Sequence, residues 1–63
     1  MLKDGYWAFI KDFKLIDDKL DINGLSQGLD WSIDGKKTYV FGNDGQEVAR
    51  FKGKIDLSEA ELI

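Results

Sequence analysis

Two Asp-Gly dipeptides, Asp34-Gly35 and Asp44-Gly45, divide residues 29–52 into three short runs. The runs are rich in Trp, Tyr, Phe, Val and Ile, which suit a pleated, half-buried surface. Asp-Gly between such runs is the strongest short-range signal for a β-hairpin. The centre of the chain is therefore expected to be a three-stranded antiparallel meander. A two-residue turn at Asp34-Gly35 sets Ile33 opposite Lys36, Trp31 opposite Thr38 and Leu29 opposite Val40. A two-residue turn at Asp44-Gly45 sets Val40 opposite Ala49 and Thr38 opposite Phe51. One face then collects Leu29, Trp31, Ile33, Thr38, Val40, Ala49 and Phe51, a consistent core face in one register. The alternative is a three-residue loop, Asn43-Asp44-Gly45, with a bulge, which shifts the last strand by one.

The opposite face carries Ser32, Lys37, Tyr39, Phe41, Val48, Arg50 and Lys52. Tyr39 and Phe41, flanked by Lys37, Arg50 and Lys52, have the composition of a surface that stacks bases while cations hold phosphates. The competing reading buries Tyr39 and Phe41 beneath the N-terminal segment as half of the core. A chain that needs every aromatic for stability favours that second reading. Trp31 alternates with Leu29 and Ile33 and belongs to the core. Trp7 is a candidate interface anchor. The candidate partner-binding set is thus Lys37, Tyr39, Phe41, Arg50, Lys52 and Trp7.

The flanks are less constrained. After a lead-in over residues 1–5, residues 5–22 read in two ways. As a helix, Tyr6, Phe9, Ile10, Phe13, Ile16 and Leu20 form one stripe, and Asn23-Gly24 supplies a C-cap. As strands, the aromatic and β-branched run Tyr6–Ile10 precedes turns at Asp17-Asp18 and Asn23-Gly24. The helix leaves Trp7 and Leu15 off the stripe, so strands are preferred. Residues 54–57 are expected to form a last strand. Ser58 is expected to cap a short turn over residues 59–63, with Glu61 completing a capping box. The fold class is mainly β: one domain over residues 1–63, a small antiparallel meander or partly open barrel with a short C-terminal helical turn. The alternative is an α+β domain with a helix at 5–22 on a three-stranded sheet.

Inventory narrows function. The 63 residues include neither Cys nor His, removing disulfides, a structural zinc, the thiol nucleophile and the commonest general base. No catalytic, cofactor-binding or metal-ligating residue is assigned, no cofactor is expected, and an enzyme is not expected. Asp17, Asp18 and Asp21 with Asn23 and Gly24 faintly resemble a calcium loop. However, the twelfth position from Asp17 is Gly28 where a bidentate Glu is required. Gly28, Gly42, Gly45 and Gly53 read as turn glycines with positive φ rather than a phosphate loop. Net charge is −3, with acids concentrated toward both ends and a mildly basic centre. This balance argues against double-stranded nucleic acid. No spanning helix or signal peptide is visible, and the cysteine-free composition fits a reducing cytoplasm.

Residues 32–39, Ser-Ile-Asp-Gly-Lys-Lys-Thr-Tyr, resemble the Asp-box, the S-x-D-x-G-x-T-W hairpin of sialidases and other β proteins. Ser32, Asp34 and Thr38 fall on the motif's positions and Tyr39 stands for its aromatic, while Lys36 departs from it. The resemblance implies a structural hairpin whose Asp bonds turn amides, and implies no catalysis. No whole-chain family resemblance is evident.

Together these features point to a small acidic protein-binding module that docks on a larger protein by a sheet edge or an aromatic patch. By analogy of size and inventory, it has the character of a phage or mobile-element accessory or inhibitor protein. A single-stranded nucleic-acid binder using the basic-aromatic face is the alternative, and a structural or assembly component is a third. No membrane partner is expected. Self-association would complete so small a core, and both monomer and homo-oligomer remain open.

Overall fold

The computed structural model describes residues 2–63, so Met1 of the lead-in lies outside the described residues. Six strands form: β1 (Ala8–Ile10), β2 (Lys19–Leu20), β3 (Asp30–Asp34), β4 (Lys37–Phe41), β5 (Glu47–Lys52) and β6 (Glu61–Leu62). The main sheet has the order β1-β5-β4-β3 and does not close into a barrel. Strands β3, β4 and β5 are the expected meander, and β1 adds to β5 in parallel. Strands β2 and β6 make a separate parallel pair. No α-helix forms at 5–22, where aromatic and β-branched residues favour extended backbone and a turn intervenes at Lys14–Asp18. Among the described residues no helix is long and apolar enough to cross a membrane.

The first hairpin turns one residue later than the sequence suggests. Asp34 pairs with Lys37, leaving Gly35-Lys36 as the loop. Gly35, at φ 64°, takes the first loop position, where a type II′ turn calls for glycine. The register therefore sets Ile33 opposite Thr38 and Trp31 opposite Val40. The shift relative to the expected pairing is two residues, which leaves every side chain on its expected face. The Asp34 carboxylate receives no hydrogen bond from the turn amides, unlike the aspartate of an Asp-box.

At the second hairpin both sequence readings hold in part. The loop is the three-residue Asn43-Asp44-Gly45, closed by the Gly42 amide donating to the Gln46 carbonyl at 2.8 Å. Phe41 pairs with Glu47, but Val40 pairs with Ala49 and Thr38 with Phe51. Val48 is the extra residue of a bulge. It restores beyond the bulge the register that a two-residue turn would have given.

The core lies on one face of the sheet. Val40, Ala49 and Phe51 are fully buried. Leu2, Leu20, Leu25, Val48 and Leu57 join the same cluster, with Phe13, Leu29 and Trp31 half-buried against it. Phe13 meets Phe51 edge-on, ring centroids 5.2 Å apart. The cover of this face is thus made mostly of irregular segments, which must be tied down individually. Asp4 does much of this. Its carboxylate accepts from the Asn43 amide at 2.8 Å and from the Ser26 hydroxyl at 2.7 Å and amide at 3.2 Å. These bonds, the one from Asn43 foremost, hold its pKa below the ordinary carboxylate value.

Two glycines owe their place to close approach. A Cβ at Gly24 would collide with the Lys3 side chain and lie 2.6 Å from the Leu2 carbonyl oxygen. Gly42, read from sequence as a positive-φ turn glycine, has φ −104°. Its Cβ would instead strike Asp4 Oδ1 and Val48 Cγ1, at 2.5 and 2.8 Å.

The C-terminal end also differs from expectation. Residues 54–56 are not a strand. Asp56, not Ser58, caps the short 3-10 turn Leu57–Glu59, accepting from the Ser58 amide at 3.1 Å. Asp56 stands two residues before that amide, as an Asx cap requires. No capping box forms, because Glu61 is drawn into β6 against β2.

Thr38 is the one fully buried polar side chain among the described residues. Its hydroxyl donates to the Gly53 carbonyl at 2.9 Å and accepts from the Ile55 amide at 2.8 Å, fastening the segment after β5 to β4. Thr38→Val keeps the shape and strands both backbone groups, so urea denaturation should show a loss of about 2–3 kcal/mol. Thr38→Ser should lose less, since it keeps both bonds. Asp4 gives a pH signature. Its folded pKa is depressed, so its contribution is full above the unfolded value near about 3.9 and is lost as pH falls through the folded value. Asp4→Asn should be less stable at neutral pH and show a shallower loss of stability on acidification.

Candidate functional site

Among the described residues no layer of secondary structure covers the second face of the main sheet. From edge to edge it presents Phe9 on β1, then Glu47, Arg50 and Lys52 on β5. Next come Lys37, Tyr39 and Phe41 on β4, and Asp30, Ser32 and Asp34 on β3. The N-terminal segment lies beside β5 as β1 rather than across Tyr39 and Phe41, so these two are not half of the core. Both are half-buried by their neighbours. The aromatics of β1 and its approach are more open, with Trp7 51% and Phe9 42% exposed.

At the centre of this face is a stack. Arg50 pairs with Tyr39 across the strands, its guanidinium carbon 4.8 Å from the Tyr39 ring centroid, and it also lies 5.8 Å from that of Trp7. The same guanidinium meets Glu47 in two bonds, Nε to Oε2 at 3.1 Å and Nη2 to Oε1 at 3.0 Å. The Trp7 indole N–H donates to Glu47 Oε2 at 2.5 Å. In a regular strand, residues three apart point to opposite faces. The Val48 bulge removes that opposition and brings Glu47 onto the face of Arg50.

Charge on this face is therefore partnered or balanced. Arg50 holds the Glu47 carboxyl below the ordinary glutamate value, and Glu47 raises Arg50 in return. Lys37 and Lys52 are exposed and stand directly opposite each other, a like-charge arrangement that opposes strand pairing. Asp34 and Asp30 face Lys37 and Phe41 on the next strand. Three cations and three anions thus share the face across β3, β4 and β5, and Arg50 with Glu47 is the one ion pair among the described residues.

Of the six residues assigned from sequence, Trp7, Tyr39 and Arg50 come together in the stack. Phe41 lies against Glu47, and Lys37 and Lys52 form a separate pair at one end. Phe9 and Glu47 escaped sequence reasoning. Phe9 joins by a parallel pairing between distant segments, which no local pattern encodes. Glu47 joins by the bulge, and the three-residue loop was the signal that could have found it.

Elsewhere the acidic residues fold onto their own backbone. Asp18 accepts from the Lys14 amide at 2.8 Å and Asp21 from the Asn23 amide at 3.0 Å. Among the described residues no acidic side chains gather in a metal-ligating group. A concavity of about 490 Å³ lies between the Lys14–Asp18 turn and Ile55. Its lining is mostly apolar, chiefly Phe13, Leu15, Ile16 and Ile55, with Lys14, Asp17 and Lys54 completing it. Comparison with protein-family models, with curated proteins and with solved structures finds no match for this chain.

The depressed Glu47 pKa has a spectroscopic consequence. The Trp7–Glu47–Arg50 cluster is intact above the ordinary glutamate value and is released as pH falls through a lower one. In a Trp31→Phe background, Trp7 emission should titrate with a midpoint below about 4.3. Glu47→Gln should remove that titration.

Proposed function

We propose that this chain is a non-enzymatic docking module that binds a larger protein through the open face of its main sheet. The observation that carries this reading is an uncovered aromatic face whose charges cancel. Trp, Tyr and Arg are the side chains that dominate protein–protein hot spots, and here Trp7, Tyr39 and Arg50 are pre-assembled in one stack. Holding them in place before contact lowers the ordering cost of association.

The single-stranded nucleic-acid reading uses the same aromatics but needs an excess of free cations. Glu47 occupies Arg50, Asp34 stands opposite Lys37, and Asp30 brings the face to three acids against three bases, so the protein partner is favoured. The opposed Lys37 and Lys52 add a preference: an acidic group of the partner seated between them would relieve their repulsion. An accessory or inhibitory role on a larger protein fits the same reading, because a pre-assembled aromatic face can occupy a surface of its partner.

The test is affinity capture from lysate of cells that carry the gene, with labelled single-stranded oligonucleotide as the competing probe. The wild-type chain should retain one stoichiometric protein. The Trp7→Ala/Phe9→Ala variant, with unchanged circular dichroism, should lose about thirtyfold or more in affinity. Salt-sensitive oligonucleotide binding weakened by Tyr39→Ala and Phe41→Ala would replace this reading with the nucleic-acid one.

A further inference from the structure

The main sheet ends at β3, and the way the first hairpin turns decides what that edge presents. In a two-residue loop the flanking pair, Asp34 and Lys37, exchanges both backbone hydrogen bonds, and hydrogen-bonded pairs then alternate along the strand. Ser32 with Tyr39 and Asp30 with Phe41 are thus the other bonded pairs. The amides and carbonyls of Trp31 and Ile33 point away from β4 to the free side. Among the described residues, no loop or side-chain hydrogen bond reaches either of them, and no other strand lies alongside.

The side chains of this edge are sorted by face. Trp31 and Ile33 stand at the rim of the core face, Ile33 being 42% exposed. Asp30, Ser32 and Asp34 stand exposed on the open face. The strand has five residues, no proline and no bulge of its own. The opposite edge, β1, has three residues and no charge.

We propose that the free edge of β3 is a strand-addition site for an extended partner segment with alternating basic and apolar side chains. This rests on the protein-docking reading and names the chemistry of the partner. A fifth strand would bond through Trp31 and Ile33. Its residues opposite them would extend the core face and must be apolar. Those opposite Asp30 and Asp34 would lie on the open face and must be Lys or Arg, with a small polar residue between. Added antiparallel to β3, so that the amides of its two apolar residues bond to Trp31 and Ile33, the sequence sought reads basic–apolar–polar–apolar–basic.

A second copy of this chain is selected against. In the antiparallel register that uses the whole strand, Asp30 of one copy meets Asp34 of the other at both ends, and like charges directly opposite are destabilising. Edge acids also deter indiscriminate pairing. Here they make the edge selective, closed to copies and acidic strands and open to basic ones.

The test uses the full chain and a labelled peptide with Lys-Val-Thr-Val-Lys at its centre, read by fluorescence anisotropy. The lysine peptide should bind at least about fivefold more tightly than the same peptide with Glu for Lys. Asp30→Lys/Asp34→Lys should reverse that order, and N-methylation at the two Val amides should abolish binding. Equal binding of the N-methylated peptide, indifference to the charge swap, or no binding by any peptide would overturn the assignment. Self-association of the free chain that the lysine peptide does not disperse would overturn it too. If the peptides fail while Trp7→Ala/Phe9→Ala still loses the captured protein, strand addition falls and docking by the open face stands. If capture fails as well, both fall.

Discussion

One extra residue in β5 organises both faces of the sheet. At Val48 the strand holds two residues against one on β4, and the consequences run in opposite directions. Toward the core, Val48 and Ala49 are both buried, and the register beyond them brings Phe51 opposite Thr38. Toward solvent, Glu47 and Arg50 come onto one side and clasp each other, and Trp7 is drawn to them. Without the bulge either Phe51 or Glu47 would lie on the wrong face, because a one-residue slip reverses every side chain.

The core compensates for its size by fastening loops rather than by stacking a second regular layer. A domain of this length buries only about 60% of its unfolded surface. The chain without cysteine has no covalent substitute. Asp4 joins three separate segments, Thr38 fastens the segment after β5, Gly24 lets the backbone of Leu2 and Lys3 approach, and Gly42 leaves room for the side chains of Asp4 and Val48. Each device ties together segments that are distant in the chain. The apolar cluster of Leu2, Leu20, Leu25 and Leu57 is assembled from places that no periodic pattern connects.

This explains what was legible in the sequence. The meander could be read because Asp-Gly turns and alternation are short-range signals. The first turn lies one residue beyond the expected one, a two-residue change of register that keeps the faces, since strand periodicity is two. Residues 5–22 could not be settled by pattern alone: the stripe Tyr6, Phe9, Ile10, Phe13 satisfies helical spacing, and only a partner 41 residues away in the chain, Ala49 for Ala8, selects the strand. The candidate face was found through Tyr39, Phe41 and the cations around them. Its neutralisation was not, because Glu47 joins through the bulge. The cap at Asp56 was missed in favour of Ser58, since both are good capping residues and β6 decides between them.

The two parallel pairings also set the order in which the molecule can be assembled. Hairpins β3–β4 and β4–β5 join neighbours in sequence, whereas β1 meets β5 and β2 meets β6 across 41 and 42 residues. Closing such long loops carries an entropic cost that only completed contacts offset, so distant pairings form late. The meander is then expected to form first, with the N-terminal third docking onto it afterwards. Trp7 and Phe9 ride on that late-docking segment, so the aromatic face is finished only when the two ends of the chain have met. Backbone amides of β4 should exchange with solvent more slowly than those of β1, whose transient release would take the docking face apart while leaving the meander folded.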